Sequence, residues 1–225
     1  MFNVIFEVHP HPDKFEQYLE LAQHLKPRLT AIDGFIDIER FASLTRPGWV
    51  LSLSSWRDEK SLVRWRTDSE HHLAQVEGRA RIFDDYHLQI GEVVRDSTVG
   101  AGELAHQQRF DETEVGLAKA VGLTEIRCVA PSARTRIQAM LDASNSNGLV
   151  ADIELYESIY APGKFCALFS WRSSLVAKHS TLGKSDDVEL LRHRCIRVIR
   201  TYGMRDRREA PQFHADKCPF VHSAP

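Results

Sequence analysis

His71 is the residue whose type and setting most invite chemistry in this chain. It stands in the stretch SEHHLAQ, a short way beyond Trp65. Gln75 follows four residues on and shares its helix face. A neutral imidazole can take a proton near neutral pH. It can also bind iron while its other ring nitrogen is held by a carbonyl or carboxylate. The alternative is that His71 and His72 are simply polar residues on an exposed helix face. Trp65 is a candidate aromatic wall for a pocket, because Ser180 takes its place when the two halves of the chain are aligned. Asn3, His9 and Glu39 fall on expected strands and could project into a cavity. Ordinary polar residues flanking a sheet explain them equally well. Trp56 and Trp171 each end a strand that alternates apolar residues with serine, and read as core aromatics whose N–H needs one partner.

The chain has 225 residues, 43% hydrophobic and 27% charged, ordinary values for a globular protein. A net charge of −2 with no basic stripe gives no electrostatic reason to expect nucleic acid. No apolar run approaches a membrane span, and the start MFNVIFEVHP lacks the features of a signal peptide. Cys128, Cys166, Cys195 and Cys218 show neither CxxC spacing nor a disulfide framework, so a cytoplasmic protein with reduced thiols is expected. In the tail, Cys218-Pro219 sits between His214 and His222. Three readings stand: a thiolate site for heme, a tail seated in a groove, or a disordered end. No Walker loop, dinucleotide-binding glycine fingerprint, HExxH or nucleophile elbow is present, so phosphoryl transfer, Rossmann-type hydride transfer and zinc peptidase chemistry have no support.

The elements that must position these residues are written twice. Residues 39–57 read ERFASLTRPGWVLSLSSWR and residues 154–172 read ELYESIYAPGKFCALFSWR, at a constant offset of 115. Glu39 matches Glu154, Pro47-Gly48 matches Pro162-Gly163, and Ser55-Trp56-Arg57 matches Ser170-Trp171-Arg172. Two long copies predict a duplicated domain. Each copy reads as strand, helix, strand, strand, helix, strand. In the first, Phe2, Val4, Phe6 and Val8 alternate with polar residues. Pro12 opens a helix whose apolar stripe runs through Phe15, Tyr18, Leu25 and Leu29. Asp58 is the expected N-cap of the next helix, a further helix spans about 70–81, and a strand covers about 86–95.

In the second copy strands are expected over 123–129 and 195–202, with a helix after Pro131 and a short helical region over 173–191. Arg200 aligns with Arg95 at an offset of 105, so the second copy is shorter beyond Trp171, and its counterpart of Glu70-His71 is Ser185-Asp186. A helix-borne histidine is therefore available only once. The expected layout is a first domain over 1–97, a linker over 98–119, a second, degenerate domain over 120–208 and a tail over 209–225. The fold class is α+β. Two tandem ferredoxin-like βαββαβ units each leave one sheet face open, and packing sheet on sheet would close a barrel within one chain.

The segments GFIDIERFASLTRPGWVLSLSSWRDEKSLVRW, EHHLAQVEGRARIFDDY and EVVRD resemble the antibiotic biosynthesis monooxygenase family of dimeric α+β barrels. The likeness spans nearly all of residues 2–96. The second copy is similar only through its PG turn, its SWR strand end and its last strand. The resemblance implies a monooxygenase-like oxidoreductase acting on a small organic substrate, with a pocket between the first sheet and the helix carrying Trp65 and His71. Trp65, Gln75 and Glu39 would bind the substrate, and the chain could assemble into homo-oligomers. Cofactor-free members use polar side chains inside the barrel to orient a phenolic substrate and accept its proton, which gives Asn3 and His9 a role beside His71. Heme-degrading members use a histidine of the equivalent helix as iron ligand, which makes His71 an axial ligand if heme is bound. A non-catalytic ligand-binding or assembly module is the remaining alternative.

Overall fold

The computed structural model describes residues 1–100, 111–128, 135, 150–173 and 188–210. Strand β1 (Phe2–Pro10) leads through a single 3-10 turn at Pro12–Lys14 into α1 (Phe15–Ala31). Strands β2 (Phe35–Ser43) and β3 (Val50–Trp56) follow, then α2 (Glu59–Arg66) and α3 (Ser69–Glu77). Strand β4 (Phe83–Asp96) closes the first half. The second half contributes β5 (Ala120–Cys128), β6 (Val150–Ser158), β7 (Lys164–Trp171) and β8 (Val188–Gly203).

The helix expected over 70–81 stops at Glu77, and a π turn at Gly78–Ile82 carries the chain into β4. A Cβ on Gly78 would come within 2.4 Å of the Phe83 ring, so only glycine lets that ring fold back here. Residues 188–191, expected as the end of a helical region, belong to β8. Val188, Glu189 and Leu190 complete the ladder opposite Cys128, Arg127 and Ile126, and these pairings override local helical preference. The expected helix after Pro131, the segment holding Ser180 and Ser185-Asp186, and the tail with His214, Cys218-Pro219 and His222 lie outside the described residues.

All eight strands join one closed antiparallel barrel in the order β1-β3-β2-β6-β7-β5-β8-β4, with β4 returning to β1. The two halves share their internal registers. Trp56 faces Phe2 and Phe35 as Trp171 faces Ala120 and Val150, and a bulge follows Phe35 as one follows Val150. Both PG turns carry glycine at φ 81°, closed by Trp49 N to Arg46 O (3.2 Å) and Lys164 N to Ala161 O (3.0 Å). This is the type II turn, which asks for Pro and then Gly at its centre. The halves meet along two seams, β2 with β6 and β4 with β8.

Strand alternation gives the barrel two distinct faces. Ile5, Phe41, Leu53, Leu123, Leu168 and Ile196 form a core cluster drawn entirely from strands, so it fills the interior. An eight-stranded barrel is just wide enough for side chains to fill. Residues of the opposite parity, among them Phe2, Trp56 and Ile90, pack with Leu29 of α1 and Leu62 of α2 on the outer face of the first half. Burying one such leucine contributes about 1.5–3 kcal/mol.

Candidate functional site

The helices of the first half do not seal completely onto the sheet. A cavity of about 250 Å³ remains between them. Its floor is two adjacent rows of the sheet. One row runs Arg40, Ser52, Phe6, Leu88, Tyr202 across β2, β3, β1, β4 and β8, and the other runs Ile38, Ser54, Val4, Ile90. The roof comes from the α1 stripe Tyr18, Ala22, Leu25 and Leu29, from Trp65 and Arg66 of α2, and from His71, Ala74 and Gln75 of α3.

Local capping fixes the roof. Asp58 caps α2, its Oδ1 accepting from Ser61 N and Ser61 Oγ, both at 2.7 Å. Burial works against the charge, but these bonds outweigh it and take the Asp58 carboxyl down to about 2. Asp68 caps α3 by accepting from Glu70 N at 3.1 Å and His71 N at 3.0 Å. Arg28 of α1 reaches Asp68 at 2.8 Å and Glu70 at 2.9 Å, tying α1 to the start of α3.

His71 is held on two sides. Its ring stacks on Trp65 at 4.1 Å and 14°, and Nδ1 lies 2.9 Å from the Trp65 carbonyl oxygen. A carbonyl can only accept, so Nδ1 carries the proton and Nε2 keeps its lone pair. Burial drives the imidazole pKa down to about 4, only partly countered by that carbonyl and by Asp68. His71 is a neutral base at physiological pH.

Three of the residues singled out in the sequence, His71, Trp65 and Gln75, line this one cavity. Asn3, His9 and Glu39 are not among its lining residues. They have the parity of Ile5 and Phe41, opposite to Val4, Phe6 and Arg40. Asn3 is fully buried in the barrel, its Nδ2 donating to Ser54 O at 3.0 Å and Ser55 Oγ at 2.9 Å. Glu39 bridges the seam, accepting from Ser158 Oγ at 2.7 Å and Lys164 Nζ at 2.5 Å. His9 stacks on Trp49 at 5.5 Å and pairs with Asp84 at 3.1 Å. All three are engaged in holding the barrel together.

Sequence reasoning missed Tyr18, Arg40, Arg66, Arg79, Tyr86, Tyr202 and Arg207, which also line the cavity. Strand parity was the available signal for Arg40, since it lies two residues from Ile38 on the helix-facing side. Burial raises the hydroxyl pKa of Tyr18 and Tyr86 and pushes Tyr202 up to about 12. All three stay protonated as donors.

A heme does not fit this site. Trp65 stacks on the His71 ring face and leaves the in-plane Nε2 lone pair open, but the cavity falls short of the roughly 300–1,000 Å³ of pockets that take drug-sized ligands. A porphyrin with its propionates is larger still. Among the described residues no cluster of three or more His, Cys, Asp or Glu side chains is arranged to hold a metal ion, and no described helix is long and apolar enough to cross a membrane.

An α+β barrel with a part-apolar, part-cationic cavity under one pair of helices is a small-molecule site. The family model for antibiotic biosynthesis monooxygenase matches residues 1–78. A curated protein of Pyricularia oryzae (strain 70-15), named jasmonate monooxygenase ABM, is 42% identical over 220 residues, covering 95% of this chain and 98% of that one. The chain belongs to the antibiotic biosynthesis monooxygenase family, and with that membership it is a monooxygenase-type oxidoreductase. Among solved structures, a protein titled antibiotic biosynthesis monooxygenase shares 18% identity at a TM-score of 0.37, covering 42% of this chain and all of its own. An anthrone oxidase-like protein shares 13% identity at a TM-score of 0.36, covering 93% of this chain and 96% of its own.

Proposed function

We propose that the cavity under α1, α2 and α3 binds a small, largely apolar organic substrate, and that the protein inserts one oxygen atom into it. One such site serves each chain. The observation that carries this reading is His71, a half-buried base presenting Nε2 in a cavity walled by aromatic and aliphatic side chains. The relative acting on jasmonate, a compact apolar acid, suits a cavity of this size. The chain's own residues bind and orient the substrate, exclude water, and give its departing proton a place at His71 Nε2. Insertion of one atom of dioxygen sends the other to water and consumes protons and electrons. The electrons come from the substrate or an added reductant.

The test is incubation with jasmonic acid under isotopically labelled dioxygen, with and without NADPH or ascorbate, followed by mass spectrometry. A product carrying one labelled oxygen, formed about 100-fold more slowly by His71→Gln, is the expected result. Absence of any oxygenated product under every reductant condition would remove the assignment for this substrate.

A further inference from the structure

The cavity holds more hydrogen-bond donors than its own walls use. The Tyr18 hydroxyl has no hydrogen-bond partner although the residue is only 5% exposed. Arg40 and Ser52 approach its oxygen closely enough to lower its titration through polar contact, though neither reaches full hydrogen-bond geometry. The Nε–H groups of Arg40 and Arg66 are likewise buried without an acceptor. Buried polar groups are normally paired, so orphaned ones gathered in one cavity need an explanation. The two Nε–H groups can only donate and the hydroxyl donates as well as accepts, so a ligand oxygen would satisfy any of the three.

The donors divide between two ends. Arg40 and Tyr202 terminate the same row of the floor, four strand spacings apart, or about 19 Å along the curved sheet. At the Arg40 end stands Tyr18. At the other end Arg207 donates Nη1 to the Tyr86 hydroxyl and lies 6.0 Å over the Tyr202 ring. Arg66 and Arg207 act electrostatically on Tyr202, and Arg79 acts on Tyr86. Among the described residues no carboxylate pairs with Arg66, Arg79 or Arg207, and no Asp or Glu lines the cavity. Asp85, also near Tyr86, turns back to accept from Tyr86 N at 2.8 Å.

Building on the substrate site proposed above, we propose that the cavity selects an amphipathic carboxylic acid carrying a carbonyl at its far end. Arg66, Arg79 and Arg207 receive the carboxylate, and Tyr18 with Arg40 receives the carbonyl oxygen. Guanidinium matches a planar carboxylate in a two-pronged bond, and uncompensated positive charge in a half-buried corner draws an anion. The apolar stretch between the ends (Phe6, Leu88, Ala22, Leu25) limits the rest of the ligand to hydrocarbon. The small volume favours a single short chain or ring.

The experiment is calorimetric titration of the full chain with three probes: benzoylbutyric acid, its primary amide, and phenylvaleric acid, which lacks the ketone. Wild-type protein is expected to prefer the acid to the amide by about 100-fold, and the keto acid to phenylvaleric acid by about 10-fold. Arg66→Gln should abolish most of the first preference while leaving amide binding in place. Tyr18→Phe should erase the second and spare the first. Arg66→Lys, which keeps the charge without the fork, serves if the glutamine variant does not fold, and should retain an intermediate preference. Equal affinity of wild-type protein for acid and amide, or no binding of either to folded protein, overturns the proposal. Binding is read without turnover. A clear acid preference with no oxygenated product would retain the carboxylate site and discard the oxygenase assignment. Oxygenation without acid preference would do the reverse.

Discussion

His71 ties the candidate site to the stability of the fold, and the link can be titrated. In the unfolded chain its imidazole titrates near the ordinary value of 6.5, and burial in the folded protein takes it down to about 4. Between those values the unfolded state binds a proton that the folded state refuses, so stability rises with pH across this window. Each unit of difference is worth 1.36 kcal/mol, which makes the full effect about 3 kcal/mol. The contribution is complete above pH 6.5 and is lost progressively as pH falls toward 4. Replacing His71 with Gln removes this dependence and leaves every other titrating group in place. Urea unfolding of both proteins at several pH values isolates the contribution of His71. The stability of wild type relative to His71→Gln should fall by about 2 kcal/mol between pH 7.5 and pH 5. Parallel stability curves over that range would refute a half-buried, proton-refusing His71. They would also remove the ground for treating it as a neutral base in the site.

Other perturbations reach the frame around the site. Arg194, 1% exposed, donates to Glu125 and to Ser55 Oγ (3.1 Å) inside the barrel, so Arg194→Met leaves Glu125 with only Lys164 (2.8 Å) and should cost about 1–3 kcal/mol in urea unfolding. Asp58→Ala removes both bonds to Ser61 and should cost about 1 kcal/mol, read the same way. Hemin titrated into the purified protein should give no saturable Soret band, with or without His71→Ala, because the cavity around Trp65 and His71 is too small for the macrocycle.

Much of the fold was legible because strands, turns and helix starts leave local marks. The alternation of Phe2, Val4, Phe6 and Val8, the PG pairs, the Asp58 cap and the α1 stripe each announce an element from neighbouring residues alone. The break at Gly78 was not legible, since it depends on the Phe83 ring folding back against it. The strand character of residues 188–190 was hidden for a similar reason, because its cause is the partner β5. For the site, spacing on one helix joined His71 to Gln75, and the aromatic Trp65 stood out by type. The arginines stayed hidden because they come from β2, α2, the π turn and the segment after β8, and only tertiary packing brings those together.

The division of polar residues between the two faces of the sheet explains why the site lies where it does. A polar residue on a strand invites the thought that it lines a pocket, as Asn3 and Glu39 do in the sequence, yet neither lines the cavity. In a closed eight-stranded barrel the interior has no room to spare, so polar groups placed there must satisfy one another. Glu7 does so with Arg46, with His87 at 3.4 Å and with Tyr156 at 2.5 Å. Burial would raise its carboxyl, yet the His87 bond and the Arg46 charge outweigh that and hold it at about 2. Glu39 does so with Ser158 and Lys164, and Asn3 with Ser54, Ser55 and Arg194. The outer face differs, because helices rest on a sheet through side chains of unequal length and leave gaps. Where Tyr18, Arg40 and Arg66 meet such a gap, their donors find no protein partner. The interior network binds one half of the chain to the other, and the unsatisfied donors of the outer face are the ones the proposed ligand would meet.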